Sequence, residues 1–372
     1  MNDSPLLLST PQYGWLSLKG CALLSLREDV VAGTTDRALT GLEAHRLSCL
    51  CDGFNAARPS ILGRRVLQGE LIAAVRAPSM TGAFRPARLV VIAGLPRAGT
   101  TLFHHLAAGV PGVWTLPMWS ARRPFEPVDS ARRDTDDYLR MLETVAPAVM
   151  RLHPMTVDGP DECATARQVT LLSERFWYLG AGTEYLELVE QDPAHVWAEW
   201  FGLLGVLAPA GATVVLKDPS HLGRWQHLPD LGIPTTVIRL WRDPDTAARS
   251  FSTLVAALRS MCRDEPVAPA SVHPEVAAWL ARRLAHELTL PTPAHVHVLD
   301  LTMGQLLDDP SAVVAAALRA AGVDVIEAPQ APPALRPSPA PSPSAWSALA
   351  PAIDAVFAAA TRDLIPSEVP CA

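Results

Sequence analysis

The stretch RLVVIAGLPRAGTTLFHHLAAG, residues 88–109, decides the fold. Its apolar run at about 88–93 reads as a strand, and a helix is expected at about 99–109. Between them lies a turn with glycines at 94 and 99. Such a turn aims free backbone N–H groups at one point over a helix N-terminus, where an oxyanion is stabilised. Gly94 and Gly99 have the spacing of the nucleotide triphosphatase loop G-x-x-x-x-G-K-S/T, but Thr100 stands where the lysine belongs. The one cation of the turn is Arg97. Leu95, Pro96, Arg97, Ala98, Gly99, Thr100 and Thr101 therefore form a candidate loop for a nucleotide phosphate, without the lysine that stabilises a transferring γ-phosphate. A bare strand-to-helix turn is the bland alternative, and it leaves Arg97 unexplained.

Working outward, strands are expected at 212–218, 235–242 and 295–301. Helices alternate with them at about 219–228, 243–261, 274–288 and 311–322. Alternation of this kind implies an α/β fold, a central parallel sheet flanked by helices. Upstream the chain reads as helical. Leu39, Leu42, Leu47 and Leu50 recur at helical spacing, and residues 61–77 repeat the pattern. Further helices are expected over 129–152 and 159–180, the second with Pro160 just inside its start. Residues 328–346 are rich in Pro, Ala and Ser and read as an extended loop. The expected organisation is a helical region at 1–85 packed on the core, an α/β core at 86–325, and a loop with a C-terminal helix at 326–372.

Composition narrows the function. The 372 residues are 49% hydrophobic, with a formal charge of −7, so no general nucleic-acid partner is expected. The cysteines at 21, 49, 51, 163, 262 and 371 have neither disulfide-framework nor zinc spacing and read as reduced thiols of a cytoplasmic protein. No signal peptide and no membrane span are expected. High Ala, Pro and Arg content suggests a GC-rich bacterial source.

Two further motifs carry chemistry. Arg242 ends a strand, Asp243 can cap the next helix, Pro244 suits its first position, and Ser250 lies two turns in, so Arg242 and Ser250 can grip one phosphate together. In VVLKDPSHL (214–222), Lys217 ends a strand and His221 follows at the start of the next helix. Strand C-termini share a crevice in open α/β sheets, and ligands bind there.

GLPRAGTT resembles the 5′-phosphosulfate loop of sulfotransferases, P-K/R-S/A-G-T-T. The resemblance implies a P-loop-like sulfotransferase fold and the donor 3′-phosphoadenosine-5′-phosphosulfate (PAPS). No metal is expected. In that family an arginine followed eight residues later by a serine binds the 3′-phosphate, which is the spacing of Arg242 and Ser250. The Lys217–His221 stretch is similar to K-D/A/S-P-x-H-L of bacterial sulfotransferases, and it takes the place of the motif whose histidine is the base in cytosolic ones. The likeness extends to TGLEAHRLSCLCDGFNAA (40–57), LHPMTVDGPDEC (152–163) and residues 296–323, covering roughly 35–325. Ser120, in MWSARRP, stands where the family often has glutamate, and the family's C-terminal basic loop has only Arg336 as a counterpart.

The resemblance implies sulfuryl transfer to a hydroxyl of a small-molecule or lipid/secondary-metabolite acceptor. Arg97 and Lys217 would stabilise the leaving group. His221, with an ordinary pKa of ~6.5, is the first candidate base, and Asp161 and Glu162 are rivals. His153, His104 and His105 read as structural. Trp114, Trp119, Phe125, Phe176, Trp177 and Tyr178 are candidates for an apolar acceptor pocket, most of them for the core. Two other readings stand beside this one: a P-loop kinase-type transferase, and a catalytically inactive nucleotide-binding module.

Overall fold

The computed structural model describes residues 37–78 and 82–330, with Leu26, Gly33 and the backbone of two four-residue strands, β1 (Leu7–Thr10) and β2 (Gly14–Ser17), which pair antiparallel. Strands this short leave too little alternation to be read in a segment expected to be helical. Cys21, Cys371, Arg336 and the expected C-terminal helix lie outside the described residues.

Helix α1 (Gly41–Ala56) starts at a capping box in which the Thr40 hydroxyl accepts from Glu43 N–H and the Glu43 carboxylate accepts from Thr40 N–H. Its buried stripe is Leu47, Leu50, Cys51 and Phe54, whereas Leu42 is 46% exposed. Helix α2 (Ile61–Arg76) follows, capped by Ser60. Next come β3 (Arg88–Gly94), α3 (Thr100–Ala108), β4 (Val113–Thr115) and α4 (Met118–Arg122). The helix expected over 129–152 is two, α5 (Val128–Val145) and α6 (Pro147–Leu152). Pro147 excludes Ala146 from the α region, and Ala146 sits at φ −139°, ψ 53°.

The continuous helix expected over 159–180 does not form. Residues 157–159 form a turn, and Pro160 bridges antiparallel to Pro117, with Met118 N–H donating to Gly159 O (2.9 Å) and Asp161 N–H to Leu116 O (2.8 Å). Pro160 thus lies in a β-bridge rather than in a first turn. The helical remainder is short: α7 (Cys163–Arg167), a 3₁₀ turn, and α8 (Glu174–Tyr178), separated by Leu171 at φ 55°. Then come α9 (Thr183–Glu190), α10 (Pro193–Leu207) and β5 (Thr213–Lys217). Residues 219–228 form two 3₁₀ turns rather than a helix, and Gly223 between them has φ 64°. The chain ends with β6 (Thr235–Trp241), α11 (Pro244–Met261), α12 (Pro269–Thr289), β7 (Val296–Thr302), α13 (Met303–Asp308) and α14 (Pro310–Ala320).

Five strands form one all-parallel sheet in the order β4-β5-β3-β6-β7. Both faces are covered, and strand parity sorts the side chains. Val90 and Ile92 of β3, Val215 of β5 and Ile238 and Leu240 of β6 join one core with α1, α2, α3 and α11. Leu89 and Val91, Val214 and Leu216, and Val237 join a second core with α10. The order puts the loop after β3 between the ends of β5 and β6, so Lys217 and Arg242 flank it.

Candidate active site

The loop after β3 is held by its backbone. Gly94 packs so closely on β6 that an added Cβ would lie 2.5 Å from Leu240 O. Arg97 has φ 65° and Gly99 φ 89°, the left-handed region, costly for an arginine and easy for glycine. These turns let α3 begin at Thr100, with its free N–H groups over the crevice.

The cations converge there. Arg242 Nη1 donates to Arg97 O at 2.8 Å, and Arg97 Nε donates to Ser250 Oγ at 3.3 Å. Arg97 Nη1 donates to Leu152 O at 2.8 Å. Among the described residues neither Arg97 nor Arg242 has an ion-pair partner. Burial lowers the pKa of both, so each guanidinium is electrostatically unsatisfied and favours an anion. Loop, Arg242 and Ser250 thus fit one phosphate-bearing ligand whose anionic groups span β3 to β6.

On the other flank Lys217 is buried. Its Nζ donates to Thr101 Oγ1 at 3.0 Å and pairs with Glu162 Oε1. Glu162 occupies the N-cap position of α7 but does not cap it. Its side chain reaches across to β5. Asp218, next after Lys217, fixes this geometry: Oδ2 accepts from Ala164 N–H (2.5 Å) and Oδ1 from Ser220 N–H (2.8 Å). The start of α7 is thereby tied to the end of β5, a role for Asp218 that no sequence signal marked.

A cavity of ≈ 50 Å³ opens beside Pro96, Arg97 and Thr101 and is lined by Asp161, Glu162, Thr165, Tyr178 and His153, with Arg175 and Tyr138 farther round. Asp161 accepts from Glu162 N–H through Oδ1, and burial raises its pKa. His153 has its pKa pushed well down by burial, with Lys217 and Arg97 adding to the effect. Of the six candidate aromatics, most of them expected in the core, Tyr178 lines the cavity. Phe176 and Trp177 are fully buried in the first core, Trp114 and Phe125 pack against the second, and Trp119 is half-buried off the cavity. Ser120 is buried in α4 and also lies off the cavity.

His221 does not line this cavity. It stacks on Trp197 (centroids 4.9 Å apart, 21° between planes), and its Nε2 lies 3.3 Å from Cys163 Sγ. Burial takes its pKa from 6.5 to about 3. So weak a base, facing an indole and a thiol, is badly placed to accept a substrate proton. His104 is buried, and burial lowers the pKa of His105 to about 4.

Fold and site together define an α/β protein with a glycine loop at the switch point of a parallel sheet and a lysine–carboxylate pair, Lys217 and Glu162, beside it. The sulfotransferase family model matches residues 90–327, and the chain belongs to that family. It is similar in structure to the sulfotransferase STF1 of Mycobacterium tuberculosis (20% identity, TM-score 0.63, covering 81% of this chain and 90% of that one). It is also similar to STF9 of Mycobacterium avium (18% identity, TM-score 0.61, covering 81% and 84%). Comparison with the curated proteins gives no match. No described helix is long and apolar enough to cross a membrane.

Proposed function

We propose that this sulfotransferase uses PAPS and transfers its sulfuryl group to a hydroxyl, with Glu162 as the base. The observation that carries the reading is the convergence of three strand ends: the phosphate loop after β3, the Lys217–Glu162 pair at β5, and Arg242 with Ser250 beyond β6. Residues 97–101 would hold the 5′ side of the donor through backbone N–H groups and the Thr100 and Thr101 hydroxyls, and Arg242 and Ser250 would hold the 3′-phosphate. When bound, the donor supplies the activated sulfuryl group.

The remaining steps belong to the chain's own residues. Arg97 leaves Leu152 O to face the anion. Lys217 turns from Glu162 toward the leaving oxygen, where its charge is preorganised by burial and by Thr101. Glu162 Oε1, released from Lys217, takes the proton of the acceptor hydroxyl. Glu162 is preferred to His221 because it lines the cavity and touches Lys217, whereas His221 does neither. It is preferred to His153 because an imidazole with a strongly depressed pKa is a poor base.

Calorimetric titration with adenosine 3′,5′-bisphosphate beside ADP and ATP, without magnesium, tests the reading. Clear preference for the 3′,5′-bisphosphate is expected. Preference for ATP would return the loop to the kinase-type alternative.

A further inference from the structure

We propose that the acceptor is a largely aliphatic alcohol carrying a second oxygen, and that Tyr178 is the specificity residue that donates a hydrogen bond to that oxygen. The inference rests on the sulfuryl-transfer reading above and goes beyond it to the substrate class.

Two observations lead there. The first is the wall: the cavity beside Glu162 is bounded by Leu142, Val149, Met155, Phe251, Leu254 and Leu258. An aliphatic chain suits such a wall, whereas a sugar would bury hydroxyls without partners against it. The second is a polar atom without a partner. Tyr178 lines the cavity, is 5% exposed, and its buried hydroxyl makes no hydrogen bond. Its ring is wedged edge-on against Phe251 (5.3 Å, 88°) and packs on Trp177 (5.4 Å), so it cannot swing out to water. Buried polar groups are paired in folded proteins, and an orphan hydroxyl on an apolar cavity points to a ligand that carries an oxygen of its own. Burial keeps Tyr178 a phenol, hence a donor.

The test needs no turnover. Enzyme saturated with adenosine 3′,5′-bisphosphate is titrated with three probes: 2-(hexyloxy)ethanol, 1-octanol and glucose. Both aliphatic alcohols are expected to bind, the ether alcohol about tenfold more tightly, with no saturable binding of glucose. Tyr178→Phe should reduce the ether alcohol to the affinity of octanol and leave octanol and the bisphosphate unchanged. Tighter binding of glucose, or no binding of either aliphatic alcohol, overturns the substrate class. Equal loss for both alcohols in Tyr178→Phe, or no loss, overturns the role of Tyr178. If the bisphosphate itself does not bind, the sulfuryl-transfer reading fails first, and the inference falls with it.

Discussion

Glu162 and Cys163 are neighbours in sequence, and Lys217 and His221 are four residues apart, yet the four side chains pair across two different environments. Glu162 pairs with Lys217 on the cavity side of the sheet, and Cys163 meets His221 on the dry side, against Trp197. The first pair has an ammonium, a carboxylate and a hydroxyl beside open space. The second has a thiol, an imidazole with its pKa near 3 and an indole. Residue type alone makes His221 the better base. Placement reverses that, because burial costs His221 its basicity and denies it a substrate.

The comparison breaks first at Glu162. Glu162→Gln and Lys217→Ala are each expected to lower kcat/KM by about 10²–10⁴, the usual range for a lost proton-transfer group, while His221→Phe keeps kcat within a few-fold. Steady-state kinetics on the three variants decides it. Loss of turnover in His221→Phe with folding intact would return the base to His221.

The dry side should fail in stability instead. Glu174 is fully buried and pairs with Arg167, Arg224 and Arg283, which packs α7, α8, α12 and the turn after β5 together. Glu174→Gln leaves the buried guanidiniums of Arg167 and Arg224 without their paired carboxylate, while Arg283 keeps Glu190 at 3.2 Å, and should cost about 3–5 kcal/mol in urea unfolding. A loss confined to kcat would show that this network belongs to the site.

On the proposed reading Arg242 contacts the 3′-phosphate, so Arg242→Ala should weaken adenosine 3′,5′-bisphosphate by about 1.5–3 kcal/mol, with little change for an analogue lacking that phosphate. Equal weakening of both would remove Arg242 from the 3′ site.

The smallest effect is in pH. With a folded pKa near 3 against 6.5 unfolded, His221 binds its proton more readily in the unfolded chain. Its contribution is therefore fully present above about pH 6.5 and is lost as pH falls toward 3, at up to about 1.4 kcal/mol per unit. His221→Phe should flatten the acid limb of the stability curve by about one proton. An unchanged slope would mean that the imidazole is not buried neutral.

Much of the fold could be read from sequence because local signals agreed with it. The apolar runs of β3, β5 and β6 are strands whose faces are both covered, and Asp243–Pro244 does start α11, with Asp243 Oδ1 accepting from Thr246 N–H at 2.7 Å. Local signals failed where tertiary pairing overrode them. Pro160 reads as a helix start, but residues 157–161 found hydrogen-bond partners at 116–119, forty residues away in the chain. That pairing sends Glu162 toward the cavity. Tyr178 looked like one aromatic among six, and nothing in its neighbours' identities says that its hydroxyl meets a cavity.

The sequence by itself determined the parallel sheet, the glycine loop with Arg97 as its one cation and Thr100 at the lysine position, and the cations at the strand ends, because glycine spacing, strand hydrophobicity and helix caps are local properties. Which carboxylate meets Lys217, which histidine is buried out of use and which tyrosine is left unpaired were decided only by tertiary structure. Those choices depend on strand parity and on a segment docking far along the chain, and burial then sets the charge each group can carry.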